Sequence, residues 1–236
     1  MPEGQYIYCI IGTGEARHFG HIGIGDQGEP VTTIAYRDLG AVVSNVLMTK
    51  YVISKKTMVA HERVVETVMR DYTVLPVRFY TVAPNAEEIR SLLRRRYPEF
   101  KKLLRELDNK VELGLKALWK DLGAIFNQIV RENKELKASP GKRAVSKMIK
   151  LALEKKKAEE GEALLRPLRQ ISSDFCFNRT YGDDMLMNAA FMVDRARERE
   201  FDSAVEKLSA HYGDRIEFKY VGPAPPYSFV FIVVKE

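Results

Sequence analysis

Six glycines, at positions 12, 14, 20, 23, 25 and 28, crowd one segment near the N-terminus and invite comparison with a phosphate-cradling loop. Phosphate loops work because the N–H groups of a helix N-terminus follow directly. Here Pro30 and the apolar Val31 come next, so a flexible loop leading into a strand is the expectation. His18 and His21 have metal-ligand spacing, but no Cys or carboxylate pair nearby completes a four-ligand set. His61-Glu62 opens like a zinc-protease motif, yet Val65 stands where the second histidine would be. Surface positions are expected for all three histidines. Serine, histidine and aspartate are present, but no serine sits in a Gly-x-Ser-x-Gly elbow. The residues make no case for catalysis, for a cofactor or for a metal.

Charge points to one element. Of a net charge of +6, +5 falls between Ser139 and Gln170, where nine Lys or Arg face four Glu. A polyanion site would interleave aromatics with the basic residues, and this segment has none. A solvated helix face is the simpler reading, with Val145, Met148, Ile149, Ala152, Leu164, Leu165 and Leu168 available to dock. Arg94-Arg95-Arg96 reads as the wet side of another amphipathic helix. Val77-Arg78-Phe79 differs, because it follows Pro76 in a strand. Proline confines a strand to an edge or a bulge, and a free edge is a place where a strand or peptide of another protein can add. An ordinary outward-facing strand arginine is the competing reading.

The elements that would position these residues follow from periodicity. The chain has 236 residues, 45% hydrophobic and 30% charged, enough for one large domain or two ordinary ones with real cores. No apolar run reaches membrane-spanning length, and Met1-Pro2-Glu3-Gly4 lacks the marks of a signal peptide. Cys9 and Cys176 lie among apolar residues, as small hydrophobes of a reduced, cytoplasmic protein would. Strands are expected at 6–11, then as a hairpin at 31–36 and 41–46, and at 74–82. A helix capped by Ser54 or Thr57 carries Met58, Val65, Val68 and Met69, and a second opens at Pro84 and restarts at Pro98. The second half offers a strand at 111–119 and a helical hairpin over about 120–171, broken at Ser139-Pro140-Gly141. A strand at 185–193, a helix ending before Gly213, and strands at 216–221 and 229–234 complete it. The fold class is α+β, with two domains, 1–107 and 108–236, each a ferredoxin-like antiparallel sheet with helices on one face.

Gly222-Pro223-Ala224-Pro225-Pro226-Tyr227 stands between the last two strands. Three prolines in four residues predict a stiff, polyproline-like connector hinged at Gly222. Its first task is to aim strand 229–234 into or against the second domain's sheet, with Tyr227 capping the entry. Partner contact is expected at Arg78, Phe79 and Tyr80 on the edge and at Pro225, Pro226 and Tyr227 on the connector.

Several segments resemble the gas vesicle protein GvpF/GvpL family, in the family's order and over essentially the whole chain. They are Asp38-Leu39-Gly40-Ala41-Val42-Val43-Ser44, His61-Glu62-Arg63-Val64-Val65-Glu66, Val74-Leu75-Pro76-Val77-Arg78-Phe79-Tyr80-Thr81, Met187-Asn188-Ala189-Ala190-Phe191-Met192-Val193-Asp194, and the terminal Gly-Pro-x-Pro-Pro-Tyr-Ser-Phe-Val. Two residues depart from the pattern: Tyr80, where glycine is expected after Arg-Phe, and Cys9, where a small residue is usual. Tyr80 puts in doubt a close backbone approach by a partner there. The resemblance implies a non-catalytic accessory or minor structural component of gas vesicles, located at the vesicle and in the cytoplasm. It would act in assembly by binding the small hydrophobic shell protein GvpA and other accessory proteins, without nucleic acid or membrane. The alternatives are a nucleic-acid-binding regulator using helix 142–169 and, last, an enzyme with a phosphate-binding Gly-rich loop.

Overall fold

The computed structural model describes residues 3–25, 28–47, 54–133, 142–230 and 232. They divide into two compact units: 1–111 together with 224–236, and 112–223. The C-terminal segment groups with the first unit rather than with the residues that precede it.

The first unit is built around β1 (Glu3–Ile11), which is buried from Tyr6 through Ile11 as a continuous apolar run should be. β2 (His18–His21), β3 (Pro30–Tyr36), β4 (Leu39–Leu47), β5 (Val74–Pro76) and β6 (Val82–Ala83) complete an antiparallel sheet. Its order is β2-β3-β4-β1-β5, with β6 also on β1. The β3–β4 hairpin turns at Arg37-Asp38 as expected. Two expectations fail here. Residues 18–21, read as loop because glycines hide any alternation, form a strand pairing with β3. The single strand expected over 74–82 is two strands, since Pro76 ends β5 and Tyr80 takes a left-handed φ of 68°. Both pieces rejoin β1, at residues 9–11 and 5–6.

Helix α1 (Lys55–Met69) starts in a capping box between Ser54 and Thr57. It packs Val64, Val65 and Val68 against Tyr6, Tyr8, Val42 and Val46 on one sheet face. Helices α2 (Ala86–Arg95) and α3 (Tyr97–Glu106) contact β3, β4 and β5 and contribute no residue to that cluster, so they cover the opposite face. Pro98 sits in the first turn of α3, where its missing N–H costs nothing. Helices on both faces replace the one-face expectation for this unit. Lys101 Nζ, 2.6 Å from Asp38 Oδ2, and the Tyr97 hydroxyl both donate to Asp38, tying α3 to the hairpin turn and holding that carboxyl down at about 2.

The second unit holds a four-stranded sheet in the order β10-β7-β9-β8. Its strands are β7 (Lys110–Trp119), β8 (Asp174–Phe177), β9 (Met185–Asp194) and β10 (Ile216–Ala224). Helix α4 (Leu122–Glu132), capped by Asp121, lies against α5 (Lys142–Arg169). Both α5 and α6 (Glu198–Tyr212) contact β9 and each other. Glu160 on α5 accepts from Trp119 Nε1 at 2.8 Å and from Arg215 at 2.9 Å, joining helix to sheet. The short β8, between Ser173 and Asn178, escaped the sequence reading. The break at 139–141 lies outside the described residues.

The C-terminal expectations need the largest correction. β10 does not stop at Val221 but runs through Gly222-Pro223 to Ala224. It can do so because β10 is an edge strand, where a missing N–H breaks no ladder bond. A side chain on Gly222 would stand 2.8 Å from Leu113 Cδ2 and 2.9 Å from the Glu112 carbonyl, and its φ is 127°. No polyproline rod follows. Tyr227 N–H donates to the Pro225 carbonyl at 2.7 Å, and Phe229 and Val230 donate to Pro226 at 3.2 and 3.0 Å, closing a compact turn. Nor does the tail enter the second unit's sheet: Ile232 bridges Val77 in parallel, within the first unit. Residues 231, 233 and 234 of the expected strand lie outside the described residues.

Candidate partner-binding site

An apolar groove of about 250 Å³ opens on the first unit, lined by α1, the end of β5 and the C-terminal turn. α1 supplies Met58, His61 and Glu62 at helical spacing, so all three fall on one face. Pro76, Val77, Arg78 and Phe79 come from the segment that leaves β5. Tyr227, Val230 and Ile232 close the third side. Arg78 N–H donates to the Ile232 carbonyl at 3.2 Å, and Val77 N–H to the Tyr8 carbonyl at 3.0 Å. β5 lies at the edge of the sheet, as Pro76 predicted, and just beyond it Val77 bridges the chain's own Ile232.

Beneath the groove lies an aromatic and polar network. His61, 3% exposed, meets the Tyr6 hydroxyl through Nδ1 at 3.0 Å. Tyr80 N–H donates to the same hydroxyl oxygen at 2.9 Å. Because that oxygen already accepts from Tyr80, the Tyr6 hydroxyl hydrogen is free to point at an unprotonated His61 Nδ1. Phe79 packs edge-on to both rings, at 5.5 Å from His61 and 6.5 Å from Tyr6. Burial pushes the His61 pKa down to about 4 and raises that of Tyr6. Tyr8 completes the layer, bonded to Ser44 Oγ at 2.8 Å and accepting from Ile24 N–H at 2.8 Å. Among the described residues no buried side-chain polar atom lacks a partner.

Of the six residues expected to touch a partner, Arg78, Phe79 and Tyr227 line this groove. Arg78 is exposed in an irregular segment rather than in a strand. Tyr80 stands beside it, its ring 6.4 Å from that of Phe79. Pro225 and Pro226 are buried supports of the turn. Sequence reasoning missed Met58 and Glu62 as wall residues, and it put His61 on the surface, where the structure buries it. The spacing 58, 61, 62, 65 carried that signal: His61 lies on the apolar stripe.

The other candidates do not line this groove. His18 and His21 are exposed with rings 5.8 Å apart, and among the described residues no group of three or more His, Cys, Asp or Glu is placed to hold a metal. Lys155 and Arg169 on α5 are exposed and face Glu159 and Glu162, while Leu153, Leu164, Leu165 and Leu168 are buried. No described helix is long and apolar enough to cross a membrane.

Comparison with known proteins bears on the chain as a whole. It is 26% identical over 246 residues to gas vesicle protein F of Microcystis aeruginosa (strain PCC 7806), covering 99% of this chain and 100% of the relative. It is 29% identical over 223 residues to gas vesicle protein F of Streptomyces sp. (strain CB03234), covering 88% and 91%. The crystal structure of GvpF from Anabaena sp. PCC7120 shares the fold with a TM-score of 0.86, at 22% identity and coverage of 98% and 100%. That of GvpF from Microcystis aeruginosa does so at 0.82, with 24% identity and coverage of 96% and 98%. The profile described as gas vesicle synthesis protein GvpL/GvpF matches residues 4–231, and the chain belongs to that family.

Proposed function

We propose that this protein is a non-catalytic assembly factor of gas vesicles, acting in the cytoplasm and at the vesicle. In this reading it binds the small hydrophobic shell protein GvpA, alone or with other accessory proteins, through the groove between α1, Phe79 and Tyr227. Family membership supports the gas vesicle role. One observation carries the site: the adjacent Arg78 and Phe79 and the sequence-distant Tyr227 share one apolar groove whose rim leaves Met58 45% and Tyr227 37% exposed. Exposed apolar side chains around a concave, mostly apolar surface mark protein contacts. A shell subunit with a large apolar face needs such a surface before it assembles.

Co-expression of the shell protein with this chain, followed by affinity capture, tests the proposal. Met58→Glu and Tyr227→Ala change only partly exposed side chains, and both variants are expected to melt near the parent temperature while losing most of the captured shell protein. Folded variants that capture as much as the parent would refute the groove as the site.

A further inference from the structure

We infer that the groove reads charge as well as shape: the segment it accepts presents an acidic residue to Arg78 and a basic residue to Glu62, on either side of an apolar centre. The inference rests on the groove being a partner-binding surface and adds what the partner must carry. The volume of about 250 Å³ falls below the usual range for small-molecule pockets and suits one or two apolar side chains. Most of its lining is apolar, with Pro76, Val77, Phe79, Val230 and Ile232.

Two charges break that character, and they sit on different walls. Glu62 projects from α1, and Arg78 lies in the segment that leaves β5. Both are exposed, and among the described residues neither carboxylate nor guanidinium has an ion-pair partner, although the two line one groove. Opposite charges contributed by two different elements give the groove a polarity. A segment lying across it is favoured in one direction and disfavoured in the other. Like-charge contact at a rim suppresses wrong partners more strongly than the correct contact adds affinity. Arg78 can grip a carboxylate with two N–H groups, so the acidic end is the better fixed of the two.

The test uses the full-length chain and fluorescent short peptides that tile the shell protein, with anisotropy as readout. The best-bound peptide is expected to carry an acidic and a basic residue flanking apolar positions. A version with those two charges exchanged should bind about tenfold more weakly, since two rim attractions become repulsions. The Glu62→Arg/Arg78→Glu double variant should reverse that preference. Exchanged and native peptides binding within about twofold of each other would overturn the inference, while Met58→Glu still abolishing binding would leave the groove itself standing. Peptide binding unaffected by Met58→Glu would instead overturn the groove and this inference with it.

Discussion

At the residue scale, Tyr80 joins the sequence pattern to a physical cause. Glycine was expected after Arg78-Phe79, and the backbone there takes φ 68°. The left-handed region costs an L-residue about 1–2 kcal/mol, which glycine avoids. Tyr80 tolerates it while its N–H is held by the Tyr6 hydroxyl. Tyr80→Gly is expected to leave stability unchanged or raise it by up to about 1 kcal/mol, because glycine's greater unfolded entropy offsets part of the relief. Tyr80→Val, β-branched, should cost more than about 1 kcal/mol. Urea unfolding of the two variants would separate these outcomes. His61 gives a second prediction. An unfolded histidine takes up its proton near 6.5, whereas the buried one resists until about 4. Between those values the unfolded chain binds more protons, so stability rises with pH there and this contribution is flat above. Acidification from pH 7 to 4 should remove roughly 3 kcal/mol through this group. His61→Asn, weaker at pH 7, should lose less over the same range when melting is followed against pH.

At the element scale, the C-terminal turn is a wall of the first unit's core, not a spacer. Val230 and Ile232 are buried, and the Ile232 carbonyl accepts from Arg78 N–H in the segment after β5. Ile232→Ala is therefore expected to cost about 2–5 kcal/mol, as buried Ile truncations do. A residue on a loose tail would cost nothing measurable. Chemical denaturation monitored through the first unit's tyrosines would distinguish the two. The same logic explains why the proline-rich segment misled. Prolines restrict φ and remove donors, but they do not forbid an edge strand at Pro223 or a turn after Pro225.

At the scale of the whole molecule, the first unit is discontinuous in sequence. A fragment ending at residue 111 lacks Tyr227, Val230 and Ile232 and leaves Val77 and Phe79 uncovered. It is expected to melt well below the full chain and to bind a hydrophobic dye that the full chain does not. Equal melting of fragment and full chain would show that residues 224–236 contribute no stability. Much of the architecture was legible from the sequence alone. The 3.6-residue stripe of α1, the Ser54 cap, the Pro98 restart and the alternation through β7 are local signals, and local physics was enough to read them. The gas vesicle family was legible too, because its motifs run the length of the chain. What the sequence could not settle was set by partners distant in sequence. His61 is buried because Tyr6 and Phe79 close over it, and β8 is a strand because β9 offers it a ladder. The tail joins the first unit because Val230 and Ile232 are buried there and the Ile232 carbonyl accepts from Arg78 N–H. The groove exists only where α1, Phe79 and Tyr227 meet, and no single segment encodes that meeting.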